Sequence, residues 1–298
     1  MLADKLKIGD TIGIICPSNC IDDDDIEIIK NSENFLKKQG FNIKYSKNCF
    51  ANTTGYGATA IEKAEDINQM YIDKDIKAIL SLKGGFNSNS VFDYLDLKAI
   101  KENNKIICGY SDATSYINYI VDKTGNIGFI GPNFKTLTSS STNYCYNNFI
   151  NHVKEVQKNL LEDDDESIII NKGTAKGKSI GGNLSLISEL ADTLNFEGKI
   201  LFLEELYLET PPAMASNYLY NLKQKGIFSK IKGLWIGNYD GEIPLEKIIT
   251  DIIRDLNINI PIIKTNNFGH TDRIMTIPLN VEVVIENGRI KIVEDYLK

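Results

Sequence analysis

Residues 105–121, Lys-Ile-Ile-Cys-Gly-Tyr-Ser-Asp-Ala-Thr-Ser-Tyr-Ile-Asn-Tyr-Ile-Val, form the stretch that decides the fold. The apolar, β-branched run from Lys105 to Gly109 predicts a buried strand, and the pattern from about Asp112 to Val121 predicts a helix. The strand must therefore pass into the helix through a tight turn that contains Ser111. Strand–turn–helix units of this kind are typical of a parallel sheet covered by helices.

The same alternation of strands and helices is found upstream of this stretch. Strands are predicted at Thr11 to Ile15, Phe41 to Tyr45 and Ala78 to Leu82, and helices at about Asp22 to Gln39, Ala60 to Tyr71 and Ser90 to Tyr94. The turns at Gly84-Gly85 and at Ser111 both follow predicted strands. They should lie at the carboxyl edge of the sheet, where open α/β sheets bind their ligands.

The pattern weakens downstream, where acidic residues accumulate at 162–166. We interpret residues 151–172 as a linker between a first domain, 1–150, and a second domain, 173–298. In the second domain the apolar run Lys199 to Glu204 predicts a strand, and Asn287-Gly288 predicts a hairpin turn. Ile168 to Ile170 is a further apolar run. Strands are also predicted at Gly233 to Gly237 and Ile260 to Ile263, and helices at Leu184 to Leu194, Ala213 to Lys225 and Leu245 to Leu256.

Composition excludes several classes of partner. The 298 residues carry a net charge of −7 and contain no basic cluster, which argues against nucleic acid or an anionic membrane. No signal peptide is recognised, and no apolar run approaches the roughly 18 residues that cross a bilayer. The five cysteines are odd in number and irregularly spaced, which favours free thiols and a cytoplasmic location.

The sequence gives no indication of a metal or cofactor. It contains no HExxH motif and no CxxC pair, and its two histidines are far apart. Asp22 to Asp25 are interpreted as the solvated cap of a helix, because carboxylates favour the positive end of the helix dipole. Cys16 and Cys108 adjoin buried strands and are predicted to belong to the core.

Ser111 is the candidate nucleophile. Its position between a strand and a helix resembles a nucleophile elbow, although the pattern Gly-x-Ser-x-Gly has Ala113 in place of its last glycine. The helix N-terminus behind the turn favours negative charge near the hydroxyl. The alternative is that Ser111 is a helix cap.

A serine nucleophile needs a base, and His270 is the better placed of the two histidines. It lies in a polar, glycine-flanked loop after a predicted strand, whereas His152 is predicted to be solvated. The base in turn needs a carboxylate, and Glu204 ends a buried strand. Glu205 and Glu209 are rivals for this role. The alternative is that the two glutamates at the end of the strand are simply solvated.

The chain resembles the LD-carboxypeptidase and microcin-immunity peptidases over nearly its whole length. The matching segments, in chain order, are Leu6 to Gly13 with Pro17-Ser18, Ala64 to Ile67, Asp75 to Ile79 with Gly84-Gly85, Gly109 to Thr114, Gly181 to Leu184, Leu203-Glu204, and Gly269 to Thr271 with Thr276 to Leu279. The resemblance implies a flavodoxin-like N-terminal domain, a smaller β-rich C-terminal domain, an active site at the domain junction and a homodimer.

The resemblance also implies the roles of individual residues. Ser111 would be the nucleophile, His270 the general base and Glu204 the acid that orients it. The N–H groups of Gly85 and Asp112 would form the oxyanion hole. Substrate contacts are expected from Gly84, Asn87 and Tyr110, although Tyr110 could equally serve in packing.

Gly84 to Asn89 and His270 to Met275 are more similar to the microcin-immunity branch than to the murein branch. Leu208 stands where that branch tends to have a basic residue, so the substrate stays open. It is expected to be a murein L,D-tetrapeptide or a peptidyl or aminoacyl nucleotide of the microcin C type. The alternative function is a non-catalytic two-domain protein that binds a small ligand.

Overall fold

The computed structural model describes residues 2–140, 142–162, 165–239 and 244–298. The chain forms two compact units. Unit 1 extends to Val156 and also includes Met275–Pro278 and Tyr296–Lys298, while unit 2 comprises Gln157–Ile274 and Leu279–Asp295. The boundaries predicted from the sequence do not include these two returns of the chain to unit 1.

The described residues form thirteen strands, which are named here in chain order. They are β1 (Thr11–Ile15), β2 (Asn42–Tyr45), β3 (Ile76–Ser81), β4 (Ile106–Gly109), β5 (Gly128–Ile130), β6 (Ile168–Asn171), β7 (Ala175–Asn183), β8 (Ile200–Glu204), β9 (Gly233–Ile236), β10 (Ile262–Lys264), β11 (Ile277–Leu279), β12 (Glu282–Glu286) and β13 (Arg289–Ile292).

Nine α-helices lie in the described parts of the chain. They are α1 (Asp23–Lys38), α2 (Ala60–Ile72), α3 (Leu97–Glu102), α4 (Ala113–Thr124), α5 (Tyr144–Lys154), α6 (Leu184–Glu189), α7 (Pro212–Gln224), α8 (Ile227–Lys230) and α9 (Leu245–Leu256). The predicted helix Ser90 to Tyr94 is a 3₁₀ helix, Ser88–Tyr94, and the predicted helix Leu184 to Leu194 continues beyond α6 only as the 3₁₀ turn Leu190–Asp192. No helix among the described residues is long and apolar enough to span a bilayer.

Unit 1 is built on a six-stranded sheet in the order β11-β5-β4-β3-β1-β2. Strands β1 to β5 pair in parallel, and the order 2-1-3-4-5 is that of the flavodoxin-like doubly wound fold. The α/β prediction is thus confirmed. Because the strands are parallel, the turns after β3 and β4 leave the sheet at the same edge.

Unit 2 is built on a seven-stranded mixed sheet in the order β13-β12-β7-β8-β9-β10-β6. Its centre, from β7 to β10, is parallel, and its outer pairs are antiparallel. Strand β6 and the β12–β13 hairpin lie at opposite ends of this strand order, yet a Cβ on Gly288 of the hairpin turn would lie 2.9 Å from Ile169 Cγ1 of β6. The sheet is therefore curled. The predicted Asn287-Gly288 hairpin is confirmed as the β12–β13 connection.

The predicted linker 151–172 has regular structure at both ends. Helix α5 continues to Lys154, and Ile168–Asn171 forms β6. Asp163 and Asp164, from the middle of the acidic run, lie outside the described residues.

The acidic run at 22–25 caps α1 as predicted, but it is not fully solvated. The Asp22 side chain accepts a hydrogen bond from the Asp25 N–H, and the Asp25 side chain accepts one from the Asp22 N–H. Asp25 itself is fully buried and forms ion pairs with Lys83 and Lys135. The prediction of a solvated cap is therefore wrong for Asp25, whose pKa these cationic partners lower against the opposing effect of burial.

The prediction of a solvated His152 is also wrong. The His152 side chain, on α5, is only 2% exposed, and its Nδ1 lies 2.9 Å from the hydroxyl of Tyr296. Burial lowers the pKa of His152 to about 4. Tyr296 belongs to the C-terminal return of the chain to unit 1, a contact that the pattern around His152 does not reveal.

Candidate active site

The turn between β4 and α4 holds Ser111 in a left-handed conformation, with φ of 61°. Serine rarely adopts this conformation, which is found preferentially at functional sites. Gly109 is the last residue of β4, two positions before Ser111. A Cβ on Gly109 would lie 2.6 Å from Oγ of Ser81, the last residue of β3, so glycine is needed for the turn to pack against β3. The cap position of α4 falls on Asp112, not on Ser111, so the alternative of a serine helix cap is not what the structure contains.

The turn after β3 lies against this serine. A Cβ on Gly84 would be 2.9 Å from Ser111 Oγ, and only glycine leaves room for the hydroxyl there. Gly85 has φ of 139°, and a Cβ on it would be 2.5 Å from Asn19 Oδ1. Asn19 also accepts a hydrogen bond of 2.9 Å from the Phe86 N–H. Sequence reasoning missed Asn19, although its position just after β1, at the same sheet edge, was an available signal.

Ser88 connects the two turns. Its N–H donates to Asp112 Oδ2 at 3.0 Å, and its hydroxyl donates to the Asp112 carbonyl at 2.6 Å. Asn87 is exposed with φ of 68°, and Tyr110 is half-buried with its N–H donating to Asn133 Oδ1 at 3.2 Å. Gly84, Asn87 and Tyr110, predicted to contact substrate, thus all lie in the two turns that carry Ser111 and Gly85.

Unit 2 brings Glu204 and His270 together. Glu204 ends β8 and is buried, and its Oε2 lies 2.8 Å from His270 Nδ1 and accepts a hydrogen bond of 3.1 Å from the His270 N–H. Gly269 permits this approach, because it has φ of 96° and a Cβ on it would be 2.6 Å from Glu204 Cγ. With Nδ1 directed at the carboxylate, Nε2 is the nitrogen that a general base would use.

The charge around His270 favours its protonated form. Burial by itself would lower the pKa of His270, but the charge of Glu204 and its hydrogen bond act in the opposite direction. Glu205 and Glu209 contribute further negative charge, and the net effect raises the pKa of His270 above its ordinary value. A carboxylate that stabilises an imidazolium in this way is what a serine hydrolase requires of its acid.

Sequence comparison identifies both parts of the chain. The family described as LD-carboxypeptidase N-terminal domain matches residues 12–131, and the LD-carboxypeptidase C-terminal domain matches residues 176–285. A protein of Bacillus subtilis (strain 168) that is named putative carboxypeptidase YocD is 31% identical to this chain. The match covers 96% of this chain and 96% of the length of YocD. This chain belongs to the LD-carboxypeptidase family. The resemblance recognised from its motifs is confirmed.

The microcin-immunity branch of the family is also represented. The microcin C7 self-immunity protein MccF of Escherichia coli is 28% identical over 100% of this chain and 97% of its own. A solved structure of MccF in complex with aspartyl sulfamoyl adenosine superposes with a TM-score of 0.91, at 26% identity, over 100% of both chains. The two-part α/β architecture of this chain is therefore that of MccF.

Within this member of the family, the rivals of Glu204 have other surroundings. Glu205 is buried and accepts hydrogen bonds from Asn183 Nδ2 at 2.8 Å, the Ser185 N–H at 2.9 Å and the Leu206 N–H at 2.8 Å. It thereby ties the acid strand to the start of α6, and burial raises its pKa. Glu209 is exposed.

Cys16 and Cys108 are buried, as predicted, and all five cysteines are free. The described residues contain no group of three or more His, Cys, Asp or Glu side chains arranged to hold a metal ion.

Proposed function

We propose that this chain is a serine carboxypeptidase that hydrolyses an amide bond through an acyl-enzyme on Ser111. The observation that carries the proposal is the buried Glu204 carboxylate, 2.8 Å from His270 Nδ1, in a member of a carboxypeptidase family. The strained turn at Ser111, with Gly84 leaving room for its hydroxyl, supports the choice of nucleophile.

In the proposed mechanism, His270 Nε2 accepts the proton of the Ser111 hydroxyl as Oγ attacks the amide carbonyl. The N–H groups of Gly85 and Asp112 stabilise the tetrahedral oxyanion. His270 then protonates the leaving amine, the C–N bond breaks, and Ser111 retains the acyl group. Water, deprotonated by the same imidazole, hydrolyses this ester and restores the serine.

For the substrate, we propose a murein L,D-tetrapeptide or an aminoacyl or peptidyl nucleotide of the microcin C type. The similarity to MccF, solved with an aminoacyl sulfamoyl nucleoside, supports the nucleotide. Leu208, which is 85% exposed, stands where the resemblance leads us to expect a basic residue, and it offers no charge to an anionic group. Hydrolysis of an L,D-tetrapeptide and of an acyl sulfamoyl adenosine, assayed side by side, decides between these substrates.

A fluorophosphonate probe tests the nucleophile. We expect it to label the wild-type protein and the exposed-serine control Ser229→Ala, but not Ser111→Ala. In His270→Ala, labelling and turnover should fall by roughly 10⁴-fold, because the residues of a triad act as a unit. Labelling that persists in Ser111→Ala contradicts the proposed nucleophile. Saturable ligand binding without turnover by the wild type supports the non-catalytic alternative.

The homodimer implied by the family resemblance is a further proposal. Light scattering of the purified chain should give twice the mass of 33.4 kDa. A mass of one chain across the concentration range would contradict it.

A further inference from the structure

The turn after β3 carries one of the two proposed oxyanion donors, the Gly85 N–H, in a segment with little rigidity of its own. Gly84 and Gly85 are consecutive glycines, and glycine has the widest backbone freedom of all residue types. The side chain of Phe86 is 58% exposed, so it contributes little to holding the segment in place. Among the residues that the structure describes, none accepts a hydrogen bond from the Gly85 N–H. Whatever fixes the direction of this donor must therefore lie outside the turn.

The Asn19 side chain holds this segment from the loop after β1, the strand that lies beside β3 in the sheet. Its Oδ1 accepts a hydrogen bond of 2.9 Å from the Phe86 N–H. Its carboxamide also covers the face of Gly85 on which a side chain would stand, because a Cβ there would lie 2.5 Å from Asn19 Oδ1 and 2.6 Å from Cγ. The hydrogen bond thus fixes the peptide group after Gly85, and packing restricts Gly85 itself.

The loop that presents Asn19 is held in place on both sides. The Asn19 carbonyl accepts a hydrogen bond of 3.0 Å from the Cys16 thiol, and the Cys20 N–H donates to the Tyr56 carbonyl at 2.7 Å. Burial raises the pKa of the Cys16 thiol to about 12, so the thiol retains the proton that it donates. Asn19 therefore stands on a well-supported backbone, as a residue that orients an active site must.

The other end of the turn is connected to the nucleophile turn. The Ser88 N–H donates to Asp112 Oδ2 at 3.0 Å, and the Ser88 hydroxyl donates to the Asp112 carbonyl at 2.6 Å. The N–H of Asp112 is the second proposed oxyanion donor, and it too has no acceptor in the described part of the chain. The segment from Gly84 to Ser88 is thus held at Phe86 and at Ser88, and Gly85 lies next to the first of these points.

We propose that Asn19 is a positioning residue of the active site: its hydrogen bond with the Phe86 N–H keeps the Gly85 N–H directed at the oxyanion of the transition state. This inference rests on the proposed function. Oxyanion donors stabilise charge that develops only during the reaction, and a displacement of about 1 Å can cost on the order of 10²-fold in rate. Because the bound substrate lacks that charge, loss of the hydrogen bond should lower kcat and leave KM nearly unchanged.

Asn19→Leu tests the hydrogen bond, because leucine has nearly the shape of asparagine but cannot accept a hydrogen bond. We expect it to lower kcat, and the rate of fluorophosphonate labelling, by roughly 10- to 100-fold, with KM within about twofold of the wild type. Hydrogen exchange of the Phe86 amide, followed by NMR, should become faster, because this N–H loses its acceptor.

The matched control is Asn68→Leu. Asn68 is also half-buried, and its Oδ1 accepts a hydrogen bond of the same length, 2.9 Å, from the Asp96 N–H. It donates in addition to the Tyr94 carbonyl, so its replacement should lower the urea midpoint at least as much as that of Asn19. Asn68→Leu should nevertheless leave kcat and the exchange of the Phe86 amide unchanged. A purely structural role of Asn19 would make the two variants alike.

The failures of the two proposals are distinguishable. A wild-type protein that is not labelled at Ser111 overturns the proposed function and, with it, the role of Asn19. A folded Asn19→Leu protein overturns the positioning role alone if it has the kcat of the control, if its Phe86 amide exchanges as in the wild type, or if only its KM changes. Should Asn19→Leu not fold, Asn19→Ala, which also removes the acceptor, replaces it with the same expected results.

Discussion

At the scale of single residues, two neighbouring carboxylates have different tasks. Glu204 is hydrogen-bonded to His270, whereas Glu205 is hydrogen-bonded to Asn183 and to the Ser185 and Leu206 N–H groups. Both are buried, and the charge of each acts on the imidazole. Glu205 thus contributes to the pKa of His270 without contacting its ring nitrogen.

The pH profile of the enzyme should report this charge. In the proposed mechanism His270 is the general base and must be neutral to act, so we expect kcat/KM to rise with pH through the raised pKa of His270. Glu205→Gln removes one negative charge and lowers that pKa, so we expect the acidic limb to move to lower pH.

The measurement is kcat/KM, or the rate of fluorophosphonate labelling, between about pH 5 and 9. Glu197→Gln, an exposed glutamate, is the control and should leave the limb in place. A limb that moves to higher pH in Glu205→Gln would contradict the electrostatic role of this carboxylate.

At the scale of secondary-structure elements, the position of the acid strand depends on a glycine in the neighbouring strand. Gly181 of β7 pairs with Phe202 of β8, two residues before Glu204. Its φ is 147°, and a Cβ there would run into the backbone carbonyl oxygen of Phe202. Only glycine lets β7 follow β8 so closely, and this pairing leads the chain into α6 at Asn183.

Gly181→Ala should therefore destabilise unit 2. The Cβ meets backbone, which cannot move aside as a flexible side chain would, and φ is unfavourable for alanine. We expect the free energy of unfolding to fall by about 3 kcal/mol or more.

Gly125→Ala is the matched control for this substitution. Gly125 also has positive φ, but no atom lies within 4 Å of a Cβ built on it. It should cost only about 1 kcal/mol. Equal losses in the two variants, measured by urea unfolding, would show that the steric contact at Gly181 is unimportant.

At the scale of the whole molecule, both ends of the chain belong to unit 1. Ala3 forms a bridge with Leu297, and the Tyr296 hydroxyl lies 2.9 Å from Nδ1 of the buried His152. The folded protein therefore contains a histidine that must stay neutral, with a pKa of about 4, whereas in the unfolded chain its pKa is about 6.5. This makes stability depend on pH.

The sign of this dependence follows from proton binding. Between pH 6.5 and 4 the unfolded chain binds more protons at His152 than the folded protein does, so stability falls as the pH falls. Between pH 7 and pH 5, His152 should account for a loss of about 2 kcal/mol. His270, whose pKa is raised, has the opposite sign, and its contribution is lost as the pH rises.

The contribution of His152 is measured as a difference between proteins. Urea unfolding of the wild type and of His152→Gln at pH 7 and pH 5 should show a smaller loss on acidification in the variant. Identical losses would mean that His152 is not buried in its neutral form.

Much of the fold could be predicted from local patterns. The periodicity of apolar residues placed β1, β3, β4, β8 and α9 within a few residues of their observed bounds. Their patterns are local because a buried parallel strand is apolar throughout and an amphipathic helix repeats every 3.6 residues. The strand-ending positions of Ser111 and Glu204 could be predicted for the same reason.

Other features depend on pairing between distant segments. The sequence left Glu204, Glu205 and Glu209 as alternatives, and only the hydrogen bond to His270 distinguishes Glu204 geometrically. It gave no indication that β11 joins the first sheet. A local pattern shows which face of an element is buried but not which distant segment covers it.

The sequence by itself determined the α/β class, the order of its main elements and the polar residues that follow its buried strands, because backbone geometry and apolar periodicity act between near neighbours. Only the tertiary structure decided which side chains meet: His152 with Tyr296, Asn19 with the glycine turn, and Ser88 with Asp112. The physical reason is that the burial and hydrogen-bond partners of a side chain depend on which distant segments the fold packs against it. The number of residues between two segments does not show whether they meet.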